Sequence, residues 1–81
     1  MLATAEALIQ KTPGVIGGDA CIRRTRIAVW MLVEHKRLGE TEDEMLFNYP
    51  GLTREDLAAA WAYYEANREE IETAIRENDE A

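Results

Sequence analysis

One cysteine, one histidine and two prolines are all that these 81 residues hold of the types that staple, ligate or break a chain. The lone Cys21 excludes an internal disulfide framework and fits a reducing compartment, so a cytoplasmic setting is expected. His35, the single histidine, leaves no Cys/His spacing for zinc, and no Walker-type phosphate loop occurs. Long hydrophobic runs are missing too. The longest uncharged stretch, residues 45–53, is far too short to span a bilayer and is interrupted by Pro50-Gly51. Residues 1–11 lack a basic leading segment and carry Glu6, so export is not expected. No metal, cofactor or catalytic constellation is expected either, since Cys21 has no histidine near it in sequence and reads as a small packed hydrophobe.

What is present suits one small globular domain: 47% hydrophobic and 31% charged residues. A domain of this size buries only about 60–65% of its extended-chain surface, so a partner or a second copy is an expected source of stability. The formal charge of −7 is unevenly placed. Residues 1–38 carry six basic against three acidic side chains, a net of +3, whereas residues 39–81 carry three arginines against thirteen acids, a net of −10. Such a split fits either two surfaces with different partners or a soluble acidic tail on a neutral domain.

Periodicity divides the chain into an N-terminal lead (1–12), a glycine-rich extended arm (13–29), a helical core (30–65) and an acidic helical extension (66–81). Residues 4–11 fit either a short helix or the approach to a strand. Pro13-Gly14 and Gly17-Gly18 mark turns. Val15-Ile16 and residues 21–29 read as two extended pieces of a hairpin or arm, with β-branched residues alternating through the second. From Trp30 the period becomes helical: Val29, Leu32, Val33 and Lys36 share a face, and Gly39 is placed to end the helix. Thr41 and Glu44 form a capping box for a short helix that Pro50-Gly51 must stop near Tyr49. Thr53, Glu55 and Asp56 start another, whose alanine-rich run meets no breaker before Asn78. Two capped helices joined by Tyr49-Pro50-Gly51-Leu52 have helix-turn-helix spacing, with Met45 and Leu46 meeting Leu57 and Trp61 around Leu52. Leu57, Trp61, Tyr64, Arg68, Ile71, Ile75 and Asn78 then make a heptad-like seam. Unbroken over residues 54–78, that helix would run roughly 37 Å. Ile71 and Ile75 would have nothing in the chain to cover them, so a cut after Asn67 should leave the fold intact and remove partner binding.

The run Pro13-Gly14-Val15-Ile16-Gly17-Gly18-Asp19-Ala20-Cys21-Ile22-Arg23-Arg24-Thr25-Arg26-Ile27-Ala28-Val29, followed by Tyr49-Pro50-Gly51-Leu52-Thr53, resembles domain-of-unknown-function family 433. The resemblance covers residues 13–64. It implies a mainly α fold: a small homeodomain-like helix-turn-helix domain with a short N-terminal β-hairpin or arm and, here, a long C-terminal helix. It also implies a homodimer and an antitoxin role against a PIN-like ribonuclease toxin. Three positions depart from the family pattern. Arg24 replaces a glycine, Ala20 a proline, and Phe47 a polar residue, the last favouring a contact surface.

Candidate site residues follow. Arg23 and Arg24 on the arm, with Thr53 and Arg54 opening the second helix of the motif, are the candidate DNA contacts. Arg26 is assigned to a structural ion pair. Phe47, Arg68, Ile71, Ile75 and Arg76 are the candidate partner-binding set. The acids Glu55 and Asp56 beside Arg54 weaken any readout by that helix alone. The function expected is an antitoxin-like protein that neutralises its toxin and autoregulates its operon by binding operator DNA. Inhibition would come from an acidic helix that mimics RNA charge, or from Arg68 or Arg76 inserted among metal-binding carboxylates. The alternative is a non-catalytic interaction or scaffold module with neither partner.

Overall fold

The structure, a computed structural model, describes residues 8–11, 19–23, 25 and 27–79. The arm residues Val15, Ile16, Arg24 and Arg26 thus lie outside the described residues. Strand β1 (Ile9–Lys11) pairs antiparallel with β2 (Ala20–Ile22), in the register Ile9 to Ile22, Gln10 to Cys21 and Lys11 to Ala20. Residues 9–11 thus supply the first strand.

The second extended piece does not run on to Val29. Thr25 reverses it: the Thr25 hydroxyl donates to the Ile22 carbonyl at 2.7 Å and accepts the Ile27 N–H at 3.1 Å. A short polar side chain that satisfies backbone groups on both arms closes the turn in place of a ladder. The returning arm pairs back on β2, with Ile22 N–H to Ile27 carbonyl at 2.9 Å and a bridge between Cys21 and Ala28. Alternation of β-branched residues is the same for one long strand and for two short ones folded together, which is why the sequence pattern reads as continuous.

Four helices follow: α1 (Val29–Arg37), α2 (Glu42–Asn48), α3 (Arg54–Ala66) and α4 (Arg68–Asp79). Helix α1 places His35, Lys36 and Arg37 in its last turn, where cations oppose the negative dipole end. It ends in a Schellman motif. Gly39 takes φ +97°, its N–H reaches the Lys36 carbonyl at 3.0 Å, and the Glu40 N–H reaches the His35 carbonyl at 3.1 Å. Helices α2 and α3 each open on a complete capping box, Thr41 with Glu44 and Thr53 with Asp56. Between them the Leu52 N–H closes on the Tyr49 carbonyl at 2.8 Å, giving the helix-turn-helix corner.

The expected single C-terminal helix is two helices. Asn67 adopts φ −136° and ψ 45°; its N–H donates to the Tyr63 carbonyl at 2.9 Å and its side-chain amide to the same oxygen at 3.0 Å. Asparagine's side chain competes with the helical ladder for backbone partners and ends α3 there. The chain then turns α4 back against α1 and α3.

That turn corrects the expectation of an uncovered seam. Ile71 and Ile75 are 2% and 7% exposed, with buried Ala74 between them, and both belong to the central core. Burial of these side chains within the chain removes the same apolar area from water that a partner would have covered. Ile22, Leu32, Met45, Leu57 and Ile71, one each from β2 and the four helices, are the largest fully buried apolar side chains with Val29.

Candidate functional site

The four candidate DNA contacts do not converge on a basic surface among the described residues. Thr53 spends its hydroxyl on the α3 N-terminus, accepting the Asp56 N–H at 3.1 Å. Asp56 is fully buried, and its Oδ2 accepts both the Thr53 N–H at 3.0 Å and Arg23 Nη2 at 3.3 Å. Arg23, expected to be an exposed functional arginine, is therefore a strap from the arm onto the first turn of α3. The guanidinium stays half-exposed while its partner carboxylate lies inside. Arg54 points back across the corner, pairing with Asp43 and, at 3.5 Å, with Glu42 on α2. Arg24 lies outside the described residues.

The same internal pairing recurs elsewhere. Lys11 meets Glu70 at 3.1 Å, and Tyr63 donates to that carboxylate at 2.9 Å, so β1, α3 and α4 share one buttress. Hydrogen bonding to Glu70 raises the Lys11 pKa, while burial first and Glu70 second push the Tyr63 phenol up. On the other side, Arg37 pairs with Glu72 and donates to the Tyr64 hydroxyl at 2.9 Å, and Tyr64 donates to Glu72. Arg37 holds the Glu72 carboxyl below its ordinary range. Arg68 is exposed, pairs with Glu65 at 2.7 Å and lies over the Tyr64 ring at 5.1 Å. Arg76 is exposed and donates to the Thr73 hydroxyl at 3.3 Å. Five of the seven basic residues described here (Lys11, Arg23, Arg37, Arg54 and Arg68) are thus held in ion pairs within the chain.

Acids on the outer faces are less engaged. Among the described residues, Glu55, Glu69 and Glu77 are exposed and join no ion pair. A shallow cleft of about 370 Å³ lies between α4 and the start of β2, lined by Asp19, Glu69, Glu70, Thr73, Ala74 and Glu77. Near the end of α4, hydrogen bonding to Asp79 raises the Glu34 carboxyl's pKa, the signature of two acids brought together where α1 meets α4.

Of the candidate partner residues, Phe47 keeps its expected exposure: it projects from α2 with 86% of its surface open. A shallow cleft beside it is lined by Asp43, Glu44 and Asn48. A second apolar feature went unseen in the sequence. Val33, Trp61 and Tyr64, with Lys36, Arg37 and Glu65, line a cleft of about 220 Å³ between α1 and α3. Lys36 Nζ sits 4.5 Å from the Trp61 ring centroid, and Trp61 Nε1 is held by Glu42 at 2.8 Å. The spacing of Trp61 and Tyr64 along α3 was legible as a core seam, but not that its edge stays open. His35 is half-buried, 3.4 Å from Glu40 and edge-on to Tyr49. Among the described residues no cluster of three or more His, Cys, Asp or Glu side chains has metal-binding geometry. No helix among them is long and apolar enough to cross a membrane.

A short antiparallel hairpin strapped to a capped helix-turn-helix, closed by a further helix, defines a small mainly α domain. The chain belongs to the family described as protein of unknown function (DUF433), whose sequence model matches residues 9–64. A DUF433 member from Anabaena variabilis ATCC 29413, solved by crystallography at 2.00 Å resolution, is 58% identical and superposes with a TM-score of 0.84. The likeness covers 85% of this chain and 68% of that one. An uncharacterized protein of Sinorhizobium fredii (strain NBRC 101917 / NGR234), y4eO, is 32% identical over 66 residues. That match takes in 82% of this chain but spans only 30% of the relative's length.

Proposed function

We infer that this chain is a non-catalytic binding module whose acidic helical face engages a basic partner protein, the specific partner being a PIN-like ribonuclease toxin and the role that of its antitoxin. The supporting observation is where the charges are used. Five of the seven described basic side chains are tied down inside the chain, while Glu55, Glu69 and Glu77 face solvent on α3 and α4. At a net charge of −7 the surface repels phosphate backbones and attracts a cationic patch such as an RNA-binding groove. Complementary charge of this kind speeds encounter and excludes wrong partners more than it adds affinity.

Of the two routes to inhibition, cover by acidic helix fits better than an inserted arginine. Among the described residues Arg68 already pairs with Glu65, which leaves Arg76, bonded only to Thr73, as the one arginine of α4 in no ion pair, against the two uncommitted acids Glu69 and Glu77. DNA binding by the chain alone draws no support from Arg23, Thr53 or Arg54, each of which serves the fold. Operator binding by a complex would take its positive charge from the partner.

A cut after Asn67 is not a clean test, because it strips Ile71 and Ile75 from the core. Charge reversal on exposed positions is. Co-expression with a PIN-like ribonuclease toxin should give co-purification and loss of ribonuclease activity. The double variant Glu69→Lys/Glu77→Lys should weaken neutralisation and flatten its salt dependence. Full neutralisation by that variant, or no association at low salt, would overturn the reading.

A further inference from the structure

The chain carries both a protruding apolar knob and an open apolar cleft, on different elements and with opposite charge around them. Phe47 stands out from α2 in a setting of carboxylates. Glu40, Glu42, Asp43 and Glu44 all lie on or beside that helix, with Arg54 as their one cationic partner among the described residues. The cleft between α1 and α3 has Val33, Trp61 and Tyr64 as its apolar lining, with Lys36 and Arg37 on its rim and Glu65 beside them, its carboxylate paired with Arg68. Arg37 is paired with Glu72, but Lys36 is in no ion pair among the described residues and is exposed. The two features share no residue, so neither can fill the other's place by a small side-chain shift.

We propose that Phe47 of one copy of this chain inserts into the Val33–Trp61–Tyr64 cleft of another, with Glu44 of the first copy set against Lys36 of the second. Size favours a side chain over a small-molecule ligand. A cleft of about 220 Å³ lies below the 300–1,000 Å³ usual for cofactor and drug-sized sites. It can take one aromatic ring, and Trp61 and Tyr64, each with a cation over one face, offer their edges for edge-to-face contact with it. Charge favours a second copy. An acidic knob meets a cationic rim, and this chain, acidic almost everywhere else, supplies both. Burying Phe47 removes the largest exposed apolar side chain of the described surface from water. The contact uses faces other than the outer side of α4, so self-association and capture of a basic partner are independent.

Sedimentation equilibrium of the full chain, without any partner, tests this. The wild-type protein should show a mass that rises above the monomer with concentration. Phe47→Ala, whose wild-type side chain is almost wholly exposed, should fold normally and self-associate roughly tenfold or more weakly, as loss of an aromatic anchor does. Lys36→Glu and Glu44→Lys should each weaken association alone and recover it when mixed, because the mixture restores one oppositely charged pair. Circular dichroism controls for the capping role of Glu44. A wild-type chain that stays monomeric, Phe47→Ala that associates unchanged, or a mixture that fails to recover overturns the proposal.

Discussion

Asp56 is the position where one substitution tests the link between the arm and α3. Replacing it with alanine removes two things at once. The α3 capping box loses its reciprocal half, in which the Thr53 N–H donates to Asp56, and the Arg23 strap loses its anchor. The stranded Thr53 N–H costs about 1 kcal/mol. The Arg23 ion pair adds under ~1 kcal/mol, because that guanidinium remains 43% exposed and water screens it. The sum is about 1–2 kcal/mol, against a total of about 4–12 kcal/mol for a domain of this length. In urea, where a small chain loses about 1 kcal/mol per molar, the unfolding midpoint should fall by about 1–2 M. Arg23→Ala should cost less, and the pair should couple by at least about 0.5 kcal/mol in a double-mutant cycle. A shift for Asp56→Ala below about 0.5 kcal/mol, or additive single effects, would refute the claim that the arm is strapped to α3 through this carboxylate.

Ile71→Ala should destabilise by about 2–4 kcal/mol in the same titration, whereas Phe47→Ala should stay within about 0.5 kcal/mol. Equal effects would mean that the burial of α4 is wrong. A folded-state carboxyl raised by a neighbouring acid binds its proton more tightly than in the unfolded chain, so the Glu34–Asp79 pair weakens the fold as pH rises through the ordinary carboxyl range. Glu34→Gln should therefore raise the thermal midpoint at pH 7, with the gain shrinking below about pH 4. Glu72 runs the other way: its depressed carboxyl adds stability at neutral pH that is lost as the pH falls through its lowered pKa, and Glu72→Gln should remove that acid-side loss. In gel shifts at several salt concentrations, Arg54→Ala should leave any DNA binding by the free chain unchanged. A clear loss would show that Arg54 leaves Asp43 and Glu42 to meet phosphate.

Helix boundaries were legible because they are written locally. Thr41 with Glu44, Thr53 with Asp56, and Gly39 each act within a few residues, and the structure places caps and a positive-φ glycine there. The core of the helix-turn-helix was legible for the same reason, with Met45, Leu52 and Leu57 buried and Leu46 and Trp61 packed against them. What escaped was long-range. The stripe containing Ile71 and Ile75 is the same whether a helix docks on its own domain or on another molecule, and one asparagine decided between them. Arg23 lies 33 residues from Asp56, so no spacing rule pairs them. Thr25 turned a run of alternating β-branched residues through a side-chain hydrogen bond that any surface threonine is able to make.

The family pattern stops at residue 64, yet the domain's hydrophobic interior draws on Ile71 and Ile75. The segment matched by the family model is therefore smaller than the unit that closes. A graft of the matched segment alone into another chain would carry a bare apolar patch where α4 sits, and its host would have to supply a lid bearing two branched aliphatic residues one turn apart.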